Sequence, residues 1–303
     1  DNPLQGQVWY NETANTLKVN TGALVGAWAT GGALNTARRY LAGAGTQTAA
    51  LGFGGFIPPV SALTESYNGT NWTEVNDLNT ARYAPGGAGT QTAALAFGGN
   101  TGAPTYPAVA VTETWNGTNW SEVNDLGTAR YNLASCGASN TAALAFGGRT
   151  PPTGVTETWN GTNWSEVNDL NTARNSLAGT GTNTAALAFG GGVPAASALT
   201  ELWNGTNWTE VNDLNTARDR LAGAGISTAA LAFGGDVIPR AQTETWNGTN
   251  WSEVNDLSTA RYDLAGAGAD NTAALAFGGT TGSVTAATEE WSISGGIKTI
   301  TTT

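Results

Sequence analysis

The sequence contains no histidine, no methionine and a single cysteine, Cys136. Without histidine the usual zinc and copper sites lack their main ligands, and one cysteine can form no disulfide within the chain. Cys136 occupies a position where the other repeats described below have Ala or Thr, so we expect a small core residue and not a reactive thiol. The absence of methionine even at position 1 predicts a processed or trimmed chain.

Charged side chains are also scarce, at 12 % of the 303 residues, and the net charge is −11. A surface that binds nucleic acid needs clustered Lys and Arg, which 12 basic residues scattered along the chain do not supply. No apolar run approaches the roughly 20 residues that a membrane helix needs. We therefore expect no nucleic-acid partner and no insertion into a membrane.

The sequence is built from internal repeats. The tripeptide Thr-Ala-Arg recurs six times, and a recurrence every 40 to 50 residues or so with strand-like content is typical of β-propeller blades. The six arginines are Arg38, Arg82, Arg130, Arg174, Arg218 and Arg261.

Each repeat reads as four short strands. In the second copy, small residues that suit a crowded propeller axis follow Arg82, and an apolar strand ends at Gly98-Gly99. A variable loop leads to a third strand that ends at Trp115, and a fourth strand contains Trp120. The intervening Asn116-Gly117 predicts a hairpin in which both residues adopt positive φ.

The aromatic residues predict a closed ring. The third-strand aromatic and the fourth-strand Trp each occur six times, yet Trp28 has no third strand before it and Trp291 has no fourth strand after it. We therefore predict an all-β, six-bladed propeller over 23–291 in which an N-terminal strand closes the last blade. Residues 1–22 would form a hairpin used in assembly and 292–303 a strand-like tail, pairing with each other or with a neighbouring subunit.

The repeat resembles kelch repeats, on Arg82, Gly98-Gly99, Trp115 and Trp120 and their counterparts over about 28–291. Kelch repeats usually have a longer turn between the aromatic and the Trp, so the hairpin here should be tighter. Segments 6–11 and 90–99 are also similar to segments of tail or fibre proteins of aquatic bacteriophages. This resemblance implies a structural or receptor-binding propeller of a phage particle, located at the virion surface. The alternative is a secreted adhesin or a self-assembling extracellular fibre subunit.

The residues give no support to an enzyme. Some kelch-like propellers are copper oxidases that use His and Tyr, and this chain has no His. Sialidase propellers carry a recurrent Ser-x-Asp-x-Gly-x-x-Trp motif, which is absent here. The Gly-Gly pairs end strands and are not followed by the Lys of a phosphate-binding loop. We therefore expect no enzymatic activity, no metal and no cofactor.

Two repeated features have both a functional and a structural interpretation. The six arginines could form a cationic ring at one channel mouth, or each could pair with a carboxylate such as Glu113 or Asp125 and lock the blades together. Eleven Asn-x-Ser/Thr sequons are potential glycosylation sites, although Asn-Gly also suits a turn. Those considered as acceptors are Asn11, Asn68, Asn116, Asn160, Asn204 and Asn247.

Specific recognition must come from what differs among the repeats, because identical repeats present identical surfaces. The differences concentrate between the Gly-Gly pair and the third strand, in loops 56–63, 100–111, 149–155, 192–199, 236–242 and 280–287. Strand alternation puts these loops on the same face as the Thr-Ala-Arg segments and opposite the Asn-Gly turns. We predict contacts to a protein or a surface glycan from Tyr106, flanked by Pro104 and Pro107, and from Arg149 and Arg240.

Overall fold

The computed structural model describes residues 8–11, 16–149, 151–238 and 240–300. Over these residues the protein is all-β, with six antiparallel sheets, each built on four strands of a blade, and one two-stranded hairpin. The first strands of successive blades contact one another in a closed circle, and that of the sixth blade contacts that of the first. The predicted six-bladed β-propeller is therefore confirmed.

The strands of the blades are short, and two of the strands in the described part of the chain exceed six residues. In chain order the strands are β1 (Val8–Asn11), β2 (Thr16–Thr30), β3 (Ala42–Thr46), β4 (Ala49–Phe53), β5 (Thr64–Tyr67), β6 (Trp72–Val75), β7 (Gly86–Gly89), β8 (Ala94–Phe97), β9 (Thr112–Trp115), β10 (Trp120–Val123), β11 (Ala134–Ser139), β12 (Ala142–Phe146), β13 (Thr156–Trp159), β14 (Trp164–Val167), β15 (Ala178–Gly181), β16 (Ala186–Phe189), β17 (Gly192–Val193), β18 (Ala195–Ala196), β19 (Thr200–Trp203), β20 (Trp208–Val211), β21 (Ala222–Ile226), β22 (Ala229–Phe233), β23 (Thr243–Trp246), β24 (Trp251–Glu253), β25 (Ala265–Asp270), β26 (Ala273–Phe277) and β27 (Thr288–Ile300).

Blades 1 to 5 begin with β3, β7, β11, β15 and β21, and blade 6 joins β25, β26, β27 and β2. The first strand of each blade is made of small residues because it lines the axis. A Cβ added to Gly43 would lie 2.7 Å from the backbone oxygen of Gly266 in the neighbouring blade, so a side chain there would force the blades apart.

Large side chains of one blade pack on small ones of the next. Leu51 and Phe53 of β4 are fully buried against Ala94 and Ala96 of β8, with Trp120 beside them. An equivalent cluster fills every gap between neighbouring blades. Burial of each such Leu or Phe contributes about 1.5 to 3 kcal/mol, so these six clusters are the main source of stability.

A ring of side-chain hydrogen bonds runs through the same gaps. The indole N–H of each fourth-strand Trp donates to the hydroxyl of the third-strand Thr in the preceding blade, at 3.0 to 3.1 Å. The pairs are Trp28 with Thr243, Trp72 with Thr288, Trp120 with Thr64, Trp164 with Thr112, Trp208 with Thr156, and Trp251 with Thr200. Because Trp28 belongs to this series, it occupies the fourth-strand position of blade 6.

Blade 6 is closed by strands from distant parts of the chain. β2 pairs with β27 so that Trp28 lies opposite Trp291. Both strands continue beyond the blade, with a register shift between Asn20 and Leu24, as far as the pairing of Leu17 with Ile300. β1 then pairs with the start of β2. We call the part of β1, β2 and β27 outside the blade, backbone 8–11, 16–24 and 295–300, the terminal arm.

The Asn-Gly turns differ from the expected two-residue type. Four residues connect Trp115 to Trp120, and Gly117 has a φ of 92° whereas Asn116 is not in the positive region. The reason is the Asn116 side chain, whose Oδ1 accepts the backbone N–H groups of Thr118 and Asn119 at 2.9 Å each. This Asx-type turn needs only the glycine in the left-handed region.

We expect Trp28→Ala to lower the free energy of unfolding by about 3 to 5 kcal/mol, because Trp28 fills the gap between blades 5 and 6. Ala29→Ser, at an exposed neighbouring position on β2, is the matched control and should change little. Urea unfolding followed by tryptophan fluorescence measures both. Equal stabilities of the two variants would show that blade 6 does not depend on β2.

Candidate binding face

Six buried ion pairs hold the segments between blades. Every Thr-Ala-Arg arginine is 0 % exposed and lies 2.8 to 3.2 Å from the third-strand Glu of the blade that it precedes. The arginines therefore do not form a cationic ring at the channel mouth. Burial lowers the pKa of each guanidinium, and the adjacent carboxylate opposes that change. The pairs are Arg38 with Glu65, Arg82 with Glu113, Arg130 with Glu157, Arg174 with Glu201, Arg218 with Glu244, and Arg261 with Glu289.

The second pair shows how the segment is fixed. Arg82 lies 2.9 Å from Oε1 of Glu113 and donates to the carbonyl of Ala96. Oε2 of Glu113 accepts the backbone N–H and the side-chain N–H of Asn79, at 2.7 and 2.8 Å. Asp125, the other predicted partner, instead accepts the backbone N–H of Thr112. The segment that leaves blade 1 is thus clamped onto blade 2.

Beyond the arginines, the connecting segments form a closed ring of backbone hydrogen bonds around the channel mouth. In each repeat, the second residue after the Arg donates its N–H to the carbonyl of its counterpart in the preceding blade, at 2.7 to 3.1 Å. All six are non-glycine residues with φ between 51° and 55°. They are Tyr40, Ala84, Asn132, Ser176, Arg220 and Asp263, and we call them the mouth ring.

The mouth ring carries six different side chains on one repeated backbone. It surrounds a cavity of about 100 Å³ that also contacts the Leu or Pro after each ring residue. Non-glycine residues in this conformation cost roughly 1 kcal/mol or more each, and such strain is concentrated at functional sites. Loop length alone does not reveal these residues, but aligning the repeats on their arginines does, because the two positions after each Arg vary.

Asp263 is the buried carboxylate of the mouth ring. It is 5 % exposed, and neither carboxylate oxygen accepts a hydrogen bond of standard geometry. Burial raises the pKa of Asp263 to about 7, although Arg220 and the Tyr40 hydroxyl both favour its charged form. Burial, together with the charge of Asp263, raises the pKa of Tyr40 in turn.

Aromatic rings extend from the mouth across blades 1 to 3, and we call this the aromatic sector. Ring centroids lie 5.7 Å apart for Tyr40 and Tyr83, 5.7 Å for Phe56 and Tyr83, and 6.1 Å for Tyr83 and Tyr131. Such separations suit tilted and edge-to-face contacts. Farther out, Phe56 and the 56% exposed Tyr106 both line an apolar pocket of about 330 Å³.

The other predicted contact residues lie around this sector or across the mouth. Pro104 and Pro107 are exposed beside Tyr106, and Arg149 is exposed and bridges to Tyr131 through its backbone. Arg240 lies across the mouth, 2.9 Å from Asp236.

Blades 5 and 6 present a cluster of charges around a single aromatic ring, that of Tyr262. Asp236 contacts both Arg240 and Arg220, the latter at 3.4 Å, and the Arg240 guanidinium lies 4.7 Å from the centre of the Tyr262 ring. Backbone bridges join the residue after each repeat Arg to the residue after the Gly-Gly pair in five of the repeats. The mouth ring and the variable loops therefore share one face, which we call the variable face.

The Asn-Gly turns lie on the opposite face. Asn68, Asn116, Asn160, Asn204 and Asn247 are exposed there, and each Oδ1 accepts two backbone N–H groups of its own turn. The side chain of Asn11 lies outside the described residues. Glycosylation at these positions stays a prediction.

No protein-family model matches the chain, and no curated protein matches its sequence. The kelch and phage resemblances therefore depend on the residues quoted above. Within the described part of the chain, no group of three or more acidic, His or Cys side chains could hold a metal ion. The same residues include no helix that is long and apolar enough to span a membrane.

We expect Glu113→Gln to destabilise the protein by about 3 to 5 kcal/mol, because it leaves the Arg82 charge buried without its counterion. Glu122→Gln is the matched control, since Glu122 lies directly opposite Glu113 on the neighbouring strand but is exposed. Thermal and urea unfolding compare the two. Equal stability of both variants would contradict a structural role for the pair.

We expect Asp263→Asn to change how stability depends on pH. The raised pKa means that the folded state binds the Asp263 proton more tightly than the unfolded state does. The stabilisation that results is complete below about pH 4 and is lost as the pH rises through 7. Relative to the Asn variant, wild-type protein should lose up to about 4 kcal/mol between these limits. Urea unfolding across this pH range measures the difference. Parallel stability curves would contradict the prediction.

Proposed function

We propose that this protein is a non-enzymatic receptor-binding propeller displayed on a phage particle. The observation that carries the proposal is a division between the two faces. The side-chain differences among repeats concentrate around the channel mouth and in the loops of the variable face, whereas the terminal arm extends past the opposite face. Such a module would be held on one side and would recognise its receptor on the other.

The distribution of sequence differences supports recognition by the variable face. Buried positions such as Arg82, Glu113 and Trp120 recur because each blade needs the same contacts. The aromatic sector and the charged residues of blades 5 and 6 have no such structural repeat. Exposed Tyr106 beside an apolar pocket provides a large contact area with a polar end, which suits a protein or a surface glycan.

A secreted adhesin or a self-assembling fibre subunit is the second candidate, and the terminal arm favours it. β1 is the outermost strand of its sheet, and an edge strand can pair with a strand of another chain. Light scattering on protein with and without residues 1–22 tests assembly. Under this candidate the truncated propeller stays folded and associates more weakly, whereas unchanged association contradicts it.

We expect replacement of loop 100–111 by the shorter loop 149–155 to leave the fold intact and weaken receptor binding by about tenfold or more. The reason is loss of Tyr106, an exposed aromatic of the kind that often dominates interface energy. Binding of fluorescent protein to a panel of bacterial cells measures the change. Thr118→Ala, at the Asn-Gly turn of the same blade, is the control. Loss with the control but not with the exchanged loop would place recognition on the other face.

A further inference from the structure

Asp263 gives the channel mouth an unused hydrogen-bonding capacity. A carboxylate that is 5 % exposed normally has its oxygens occupied, because burial without partners is costly. Here neither oxygen has a partner of standard geometry, the Tyr40 hydroxyl interacts with the carboxylate but leaves most of its acceptor sites unused, and Asp263 lines the mouth cavity. It is also held in the strained conformation of the mouth ring, with φ of 55°. These observations indicate a position kept for contact with a ligand.

The neighbours of Asp263 restrict the charge of that ligand. Arg220 precedes it in the mouth ring, and its carbonyl accepts the backbone N–H of Asp263. An ammonium group placed on Asp263 would be repelled by Arg220, and an anion placed on Arg220 would be repelled by Asp263 and Asp236. A neutral group that both donates and accepts hydrogen bonds suits the pair best. Hydroxyl groups have this property.

Other residues of the mouth ring provide polar and aromatic partners. Asn132 and Ser176 line the same cavity: Asn132 can donate and accept, and the Ser176 hydroxyl, which donates its proton to Asn175 Oδ1 at 3.0 Å, can accept. Tyr40 follows Asp263 in the mouth ring and begins the aromatic sector with Tyr83. The walls of the cavity are Leu and Pro side chains with Tyr40, and a pocket with apolar walls and a few convergent polar groups is typical of a small-molecule site.

Volume limits how much of the ligand enters. The mouth cavity is about 100 Å³, which holds about three waters at their share of roughly 30 Å³ each. A whole sugar chain does not fit, whereas the hydroxyl edge of one unit does. The remainder of the unit would lie over the aromatic sector at the open side.

We infer that the channel mouth binds the hydroxyl edge of a terminal, uncharged sugar of a surface glycan, with Asp263 and Arg220 as its main polar contacts and Tyr40 beside them. This inference rests on the proposed receptor-binding function and names the class of receptor. It adds the mouth ring to the loops as the determinant of specificity.

The test is saturation-transfer NMR with glucose, galactose, mannose and N-acetylglucosamine, and with glucosamine and glucuronic acid as charged probes. We expect wild-type protein to bind at least one neutral sugar more strongly than either charged probe. Asp263→Asn should reduce that affinity by about tenfold or more, the usual effect of losing a hydrogen bond to a charged group. Because Asn removes a buried charge, its thermal stability should be equal or higher above pH 7, which separates lost binding from misfolding.

Controls separate this site from the wider proposal. Glu122→Gln, exposed on the outer strand of blade 2, should bind the sugar as wild type does. Ser176→Ala is a second mouth variant and should weaken binding even if Asp263→Asn fails to fold. Preference for a charged probe, no binding of any neutral sugar, or full binding by both mouth variants overturns the inference. If the loop exchange still reduces cell binding in that case, the receptor-binding function stands without this site.

Discussion

The buried Arg–Glu pair is the interaction on which the rest of the structure depends. Each pair fixes the segment between two blades at both ends, since the Arg binds the body of the next blade and the Glu binds the start of the segment. With the segment held, the next residues can close the mouth ring in a strained conformation. A buried pair of this kind adds little net stability over apolar packing, but losing one partner is costly. Its main effect here is to specify the path of the backbone.

The positions that pack the blades are separate from those that form the variable face, so the same fold can present different surfaces. The interblade clusters, the Trp–Thr hydrogen bonds and the ion pairs occupy positions that every repeat must keep. The two positions after each Arg and the loops after each Gly-Gly face outward or into the mouth and are free of those constraints. Asp263 and Tyr106 both occur at such positions. Substitution there changes what the variable face presents without changing how the blades pack.

Most of the fold could be predicted because the repeat determines it. Counting the third-strand aromatics and the fourth-strand Trp residues, six of each, predicts six blades. Trp28 and Trp291 are left without partners in neighbouring sequence, which predicts that the N-terminal strand closes the last blade. The Asn116 turn was predicted with the wrong backbone, because the pattern does not show that the Asn side chain would replace a second positive φ. The mouth ring was missed for a different reason. Its residues share no chemical type, and only their common hydrogen-bonded position brings Tyr40, Arg220 and Asp263 together.

The closure of blade 6 has a consequence for synthesis. Trp28 can reach Trp291 and Thr243 only after the ribosome has made the intervening chain. At about 5 to 20 residues per second, that takes on the order of tens of seconds. Throughout this time the segment around Trp28 remains an apolar strand without its neighbours, while the middle blades already have theirs. Nascent chains are therefore most exposed to aggregation and to chaperone capture at this strand, until the strand that carries Trp291 has emerged and the ring can close.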